Sequence, residues 1–302
     1  MATASPAKRS GAASVEETLG WEAEHRPRAG IAAIAAGLLI LAGAIIEGFA
    51  TRGRPNAPLI GVLQGALTGA PNRPSQQLPL FQFLDDRIVP LSLAAVLPAI
   101  GFLLLIPVLG YLYRATAARE PKIPRPALIL GLVGPALLGV GALAFQLGLS
   151  RGVHTFLTGN DRSIAAANDV GSSALISAGQ LMQLAGTLAT AFALLFIALN
   201  AMRVGLLTRF MGILGMISGV ALVFLPRNPV INFWLIALGV LILGRWPGGT
   251  PAAWGSGRAE PWPSQQELRE RRQDAPAGPP EPLVGDGPDA RPALQKRKRK
   301  RR

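Results

Sequence analysis

The chain has 302 residues, no cysteine, two histidines and a formal net charge of +13. The missing thiols exclude disulfides, thiolate catalysis and cysteine-based zinc or iron–sulfur centres. Hydrophobic residues make up 50% of the chain and charged residues 16%. The apolar ones are gathered into long uncharged runs, which disfavours an ordinary soluble two-domain protein.

Residues 1–28 read as a polar tail. Ser14 and Glu17 fit a capping box, in which each side chain satisfies the other's orphan backbone N–H. A short helix is expected through Glu24, ended by Pro27, because the residue before a proline avoids the helical region. Four acids precede the first apolar run, Glu16, Glu17, Glu22 and Glu24, so no cleaved secretory signal is expected.

Six apolar runs follow. The intervals Arg28–Glu47, Arg87–Arg114, Arg125–Arg151 and Asp169–Arg203 enclose 18, 26, 25 and 33 uncharged residues. Arg209–Arg227 and Arg227–Arg245 enclose 17 each. A membrane-crossing helix needs about 20 mostly apolar residues, with a lower limit of about 17. The expected fold is an all-α polytopic bundle of six transmembrane helices, with one membrane domain over 29–246 and a disordered basic tail over 247–302. Residues 57–67 are apolar but too short to cross and read as interfacial or re-entrant. Pro226-Arg227-Asn228-Pro229 reads as the turn of a tight helical hairpin. In the loop between the third and fourth spans, Asn160, Asp161, Asn168 and Asp169 suggest a short capped helix. The final 57 residues contain 10 Pro and 7 Gly, a composition too poor in apolar surface to fold.

Basic residues near span ends favour the cytoplasm. A cytoplasmic N-terminus places 23 basic residues inside and 7 outside, or 11 against 7 when everything beyond Arg245 is discounted. Both termini are therefore expected in the cytoplasm, and the protein in the plasma membrane.

Metal and general-base catalysis need clustered His, Cys, Asp or Glu. His25 falls in the N-terminal tail and His154 in a loop, so neither is expected in a span. No catalytic residue, cofactor or metal is expected, and the chain reads as a non-enzyme. Glu47 is the one acid inside an apolar run and is read as an interfacial carboxylate near Arg52 and Arg54. Gln180 and Gln183 are three apart on the fourth span, with Thr187 and Thr190 continuing their stripe and Gln146 as the polar residue of the third span. Such groups either hydrogen-bond between helices or line a solute path, and packing is the preferred reading. Gly212, Gly215 and Gly219 form a small-residue face on the fifth span, expected to pack on the sixth.

Lys296–Arg302 is an unbroken run of seven cations. It suits anionic lipid headgroups and contains no aromatic to stack on a base, so specific nucleic acid is not an expected partner. Trp246, Trp254 and Trp262 recur every eight residues and are read as anchors at the inner bilayer surface.

The stretches Arg203-Val-Gly-Leu-Leu-Thr-Arg209-Phe-Met-Gly-Ile-Leu-Gly215, Gly244-Arg-Trp-Pro-Gly-Gly-Thr-Pro-Ala-Ala-Trp254 and Glu260-Pro-Trp-Pro-Ser264 resemble uncharacterised multi-span membrane proteins of actinobacterial type. The resemblance covers mainly the last third of the chain. It implies an integral membrane protein and carries no catalytic residue over. The function expected is a non-enzymatic accessory or scaffold role, and the alternative is a transporter or channel for a small solute. The two differ at mid-membrane, where a transporter shows a polar path near Gln146, Gln180 and Gln183 and an accessory protein is filled by Ala, Gly and Leu.

Overall fold

The computed structural model describes residues 15–55, 75–120, 123–225 and 229–263. All of these but Pro263 belong to one compact unit, Met1–Trp262. The capping-box partner Ser14, the 57–67 segment, most of the 226–229 turn and the basic run from Lys296 lie outside the described residues.

The described residues form nine helices: α1 (Val15–Ala50), α2 (Leu78–Asp86), α3 (Ile88–Arg119), α4 (Arg125–Thr158), α5 (Ile164–Gly171), α6 (Ala174–Arg203), α7 (Arg209–Phe224), α8 (Pro229–Ile242) and α9 (Ala253–Ser256). Four of the described helical stretches are long and apolar enough to cross a membrane: α1, α3, α4 and the stretch Ile164–Arg203 that contains α6. The helices α7 and α8 are apolar but shorter. At 1.5 Å per residue, their 16 and 14 residues extend about 24 and 21 Å.

The six apolar helices pack in a closed ring in chain order, α1–α3–α4–α6–α7–α8, and α8 returns to α1. Glycine sets the closest approaches. A Cβ at Gly141 would lie 2.9 Å from the Gly179 carbonyl and from the Gln183 nitrogen, and one at Gly186 2.6 Å from the Leu138 nitrogen. These glycines recur every seven residues, as Gly134, Gly141 and Gly148 on α4 and Gly179 and Gly186 on α6. Seven is the seam period of helices crossing at a shallow angle, so the contact persists along both. Gly30 and Gly37 repeat the device on α1 against α8.

The glycine face of α7 meets a different partner from the one expected. Gly212 faces Met202 and Gly219 the Ala191 carbonyl, both on α6. Gly215 lies between Ala198 of α6 and the Trp234 indole of α8. The indole fills the space between the hairpin's two helices, and the small residues of α7 let it settle on α6 instead.

Call the end of the bundle that carries the N-terminus of α1 proximal and the other distal. Helix α1 begins at Val15 and runs through Pro27 without a break. Its buried face continues from Thr18 and Glu22 to Ala29, Ala33, Ala36 and Ile40, and this continuous packing outweighs the one hydrogen bond that Pro27 removes. Residues 15–28, expected to belong to a tail, are thus part of the bundle. The same holds for 247–262. The Trp254 indole donates to the Leu206 carbonyl at 2.9 Å and the Trp262 indole to the Leu207 carbonyl at 2.8 Å. Both satisfy acceptors left where the chain turns from α6 to α7; Trp254 is buried there, while Trp262 stays 38% exposed beside it. Gly205 adopts a φ of +81° at that turn, and the Glu260 carbonyl lies where its Cβ would be.

At the distal end, α4 continues to Thr158, so His154 is helical and exposed. The short helix expected in the following loop is α5, capped by Ser163, whose hydroxyl accepts from the Ala166 nitrogen. Phe81 of α2 meets Phe156 of α4 edge-on at 4.8 Å, over Val153, Ala167 and Val170.

Candidate functional site

The hairpin α7–α8 stops short of the distal end. Asn232 lies beside Gly37 of α1, whereas α1 continues to Ala50. Helix α8 starts three residues beyond Asn232, at Pro229, so about ten residues of α1, or about 15 Å, rise above it. Above the hairpin tip the other four helices enclose a cavity of about 380 Å³. That is the low end of the range for small-molecule pockets, and about a dozen waters' share of liquid volume.

Small residues leave this volume open. Ala44 of α1, Ala94 and Ala95 of α3 and Ala142 of α4 line it where the same helices elsewhere carry Leu or Ile. Pro98, also on the wall, packs against Gly43 of α1. As a proline it has no N–H, so the Ala94 carbonyl loses its helical donor. The apolar remainder of the wall includes Ile40, Phe102 and Phe145, and Leu222, Pro229 and Ile231 form the floor.

Four polar side chains converge on the cavity: Glu47, Gln146, Gln183 and Asn232. Asn232 is buried, and its Oδ1 accepts no hydrogen bond among the described residues. Gln183 donates from Nε2 to the Gly141 carbonyl at 3.4 Å. Gln146 donates to Ser150 Oγ at 3.3 Å and to Ser92 Oγ at 3.5 Å. These distances exceed the 2.7–3.2 Å of a well-made bond, so the amides are weakly engaged. Glu47 is half-buried, and Arg87, rather than turning to it, donates to the carbonyls of Ala50 and Arg52. Gln180 is exposed on α6 and takes no part. Three residues along a helix turn it by about 300°, enough to send Gln183 inward and Gln180 outward. Thr190 is buried farther down the same helix, against Gly134.

Sequence reasoning found Glu47, Gln146 and Gln183 separately but neither their convergence nor Asn232. Asn232 stands in an apolar run as the fourth residue of α8, and its polarity was the signal.

A second polar cluster holds the proximal end. Arg119 pairs with Glu22, and the two side chains are 0% and 4% exposed. Arg119 also donates to the Ala253 carbonyl, 2.7 Å from Nη2, and to the Ala115 carbonyl at 2.9 Å. Arg26 donates from Nε to the Ile242 carbonyl at the end of α8 and lies over the Trp254 ring at 5.4 Å. Trp21, Tyr111 and Trp254 stack in series, with centroids 5.4 and 5.9 Å apart. The spacing Thr18, Glu22, Arg26 in steps of four could have marked Glu22 as a continuation of the buried face.

Among the described residues no three His, Asp or Glu side chains gather where a metal could sit. The class is set by the helices: the described residues are all-helical, with four helices long and apolar enough to cross a membrane, the build of a membrane protein. No protein-family model, curated protein or solved structure matches the chain.

Proposed function

We propose that the chain is a six-crossing, non-enzymatic protein of the plasma membrane that binds a small solute in the distal leaflet, with its proximal end and both termini in the cytoplasm. The observation that carries this reading is the cavity of about 380 Å³ on which three carboxamides and a carboxylate converge. An accessory or scaffold protein would be filled at that depth by Ala, Gly and Leu.

The ring supports six crossings, because α7 and α8 close it and are as apolar as their neighbours. Their shortfall against a hydrocarbon core of about 30 Å is met by local thinning or by flanking residues. The bias of basic residues toward the proximal end supports the orientation. A through-going channel is not supported. The proximal half is plugged by Leu105, Leu109, Leu112, Leu194, Leu235 and Leu238, all with 0% exposure. The protein therefore binds from one side.

The cysteine-free chain permits a direct test. Single cysteines at Ala95 in the cavity and Ala193 in the proximal core are exposed to a small, membrane-impermeant thiol reagent on intact cells. Position 95 is expected to react and position 193 to stay inert. Exposed controls at Thr158 and Ala252 are expected to react only outside and only after permeabilisation, respectively. Inertness at position 95 with a labelled control at 158 would remove the solvent-reached cavity. Labelling of 252 on intact cells would reverse the orientation.

A further inference from the structure

We propose that the cavity above the α7–α8 hairpin takes an uncharged amphiphile whose head is a hydroxyl. This rests on the reading of that cavity as a binding site and names its ligand class.

The carboxamides there are incompletely paired among the described residues. Asn232 Oδ1 is buried without a partner. Gln146 and Gln183 are half-buried and engage described residues through Nε2 over long contacts, which leaves their amides able to turn to a ligand. A buried acceptor left unmet carries a desolvation penalty, and a ligand that brings a donor removes it.

Charge decides between donor-bearing heads. The three amides are neutral, and among the described residues the cavity has no basic side chain on its wall. A carboxylate or phosphate head would arrive where acceptors already crowd. An ammonium head would need a counter-charge to offset its burial. Glu47 is the one candidate, and it already has an interaction of its own. A hydroxyl donates one hydrogen bond, accepts another from an amide N–H and carries no charge to desolvate. The tail of such a molecule fits the rest of the wall, which is Ile40, Pro98, Phe102, Phe145 and Leu222.

The test uses full-length protein in lipid nanodiscs and three photoreactive diazirine probes of equal chain length, a medium-chain alcohol, the matching amine and the matching carboxylic acid. Cross-linked residues are mapped by mass spectrometry. The alcohol is expected to label α1, α3 or α8 at the cavity saturably and to be displaced by unlabelled alcohol. The amine and acid are expected to give only the unsaturable background of annular lipid. Gln183→Met, which keeps the side-chain volume, and Asn232→Leu are each expected to weaken the saturable labelling about fivefold, the effect of one lost hydrogen bond. Their melting temperatures are read alongside, so that a folding defect is recognised. Saturable labelling by the amine or acid in place of the alcohol would overturn the hydroxyl inference and leave the binding site standing. Alcohol labelling untouched by Gln183→Met in a stably folded variant would also overturn it. If no probe labels saturably, the binding reading falls with it.

Discussion

The proximal and distal halves of the bundle are built from the same helices and come out differently. Proximally, α8 packs between α1 and α7, and the Trp234 indole, 0% exposed, donates to the Met211 carbonyl at 2.9 Å. Leucines and isoleucines close the remaining space, and the Glu22–Arg119 pair ties α1, α3 and the 251–254 segment together. Distally the hairpin has ended, alanines stand where leucines stood, and amides face an open volume. Two short helices thus divide one ring into a half that is filled and a half that can be occupied. Dense packing is the default of a folded interior, so the unfilled half is the informative one.

The sharpest way to break the proximal half is Arg119→Ala. It strands the Glu22 carboxylate in a site where its own side chain is 4% exposed. Losing one partner of a buried pair costs about 3–5 kcal/mol. Thermal unfolding in detergent is expected to show a large drop, and Glu22→Gln combined with Arg119→Met a smaller one, since the pair then leaves no uncompensated charge. A double variant as damaged as the single one would mean that Arg119 acts mainly through its bond to the Ala253 carbonyl.

A paired substitution sharpens the comparison at intermediate size. Ala193 is 0% exposed in the filled half, and Ala95 borders the cavity. Ala193→Leu forces three extra carbons into close packing and is expected to cost about 1–3 kcal/mol. Ala95→Leu has volume to enter and is expected to be neutral or to stabilise by up to about 2 kcal/mol. The same denaturation series reads both. Equal penalties would show the cavity collapsed in the folded protein.

The sequence carried the helices and the polar candidates, but not their assembly. Uncharged run length located every long helix, because the hydrocarbon core imposes that length whatever the neighbours are. It could not show that α1 starts at Val15, since a proline and four acids look like a tail until Trp21 and Glu22 meet Tyr111 and Arg119. Composition likewise marked 247–262 as unable to fold, and three residues correct it: Trp254, Trp262 and Gly205. The convergence of Glu47, Gln146, Gln183 and Asn232 depends on which helices are neighbours in the ring and on where the hairpin stops. Neither is encoded in any one segment. The seven-residue glycine spacing of α4 and α6 was visible, but pairing it needed the partner helix.

The smallest expected effect lies outside the membrane, at the distal cap. Asp161 Oδ1 accepts the Ser163 backbone N–H at 2.9 Å, while Ser163 caps α5 through the Ala166 nitrogen at 3.2 Å. The first of these bonds, assisted by the Ser163 hydroxyl, holds the Asp161 carboxyl below the ordinary carboxylate range. A carboxyl depressed in the folded state stabilises it above the unfolded value of about 3.9, and the contribution is lost as pH falls through the lower, folded value. The group is fully exposed, so the effect is confined to the local opening of α5 and does not reach the bundle. Hydrogen exchange of Ala165–Val170, corrected for the intrinsic rate, is expected to show α5 opening more readily as pH drops below about 4. Asp161→Asn should remove that dependence while leaving the melting of the whole protein unchanged. Should α5 loosen instead as pH rises, the charged form would be the unfavourable one, and the cap would owe nothing to Asp161.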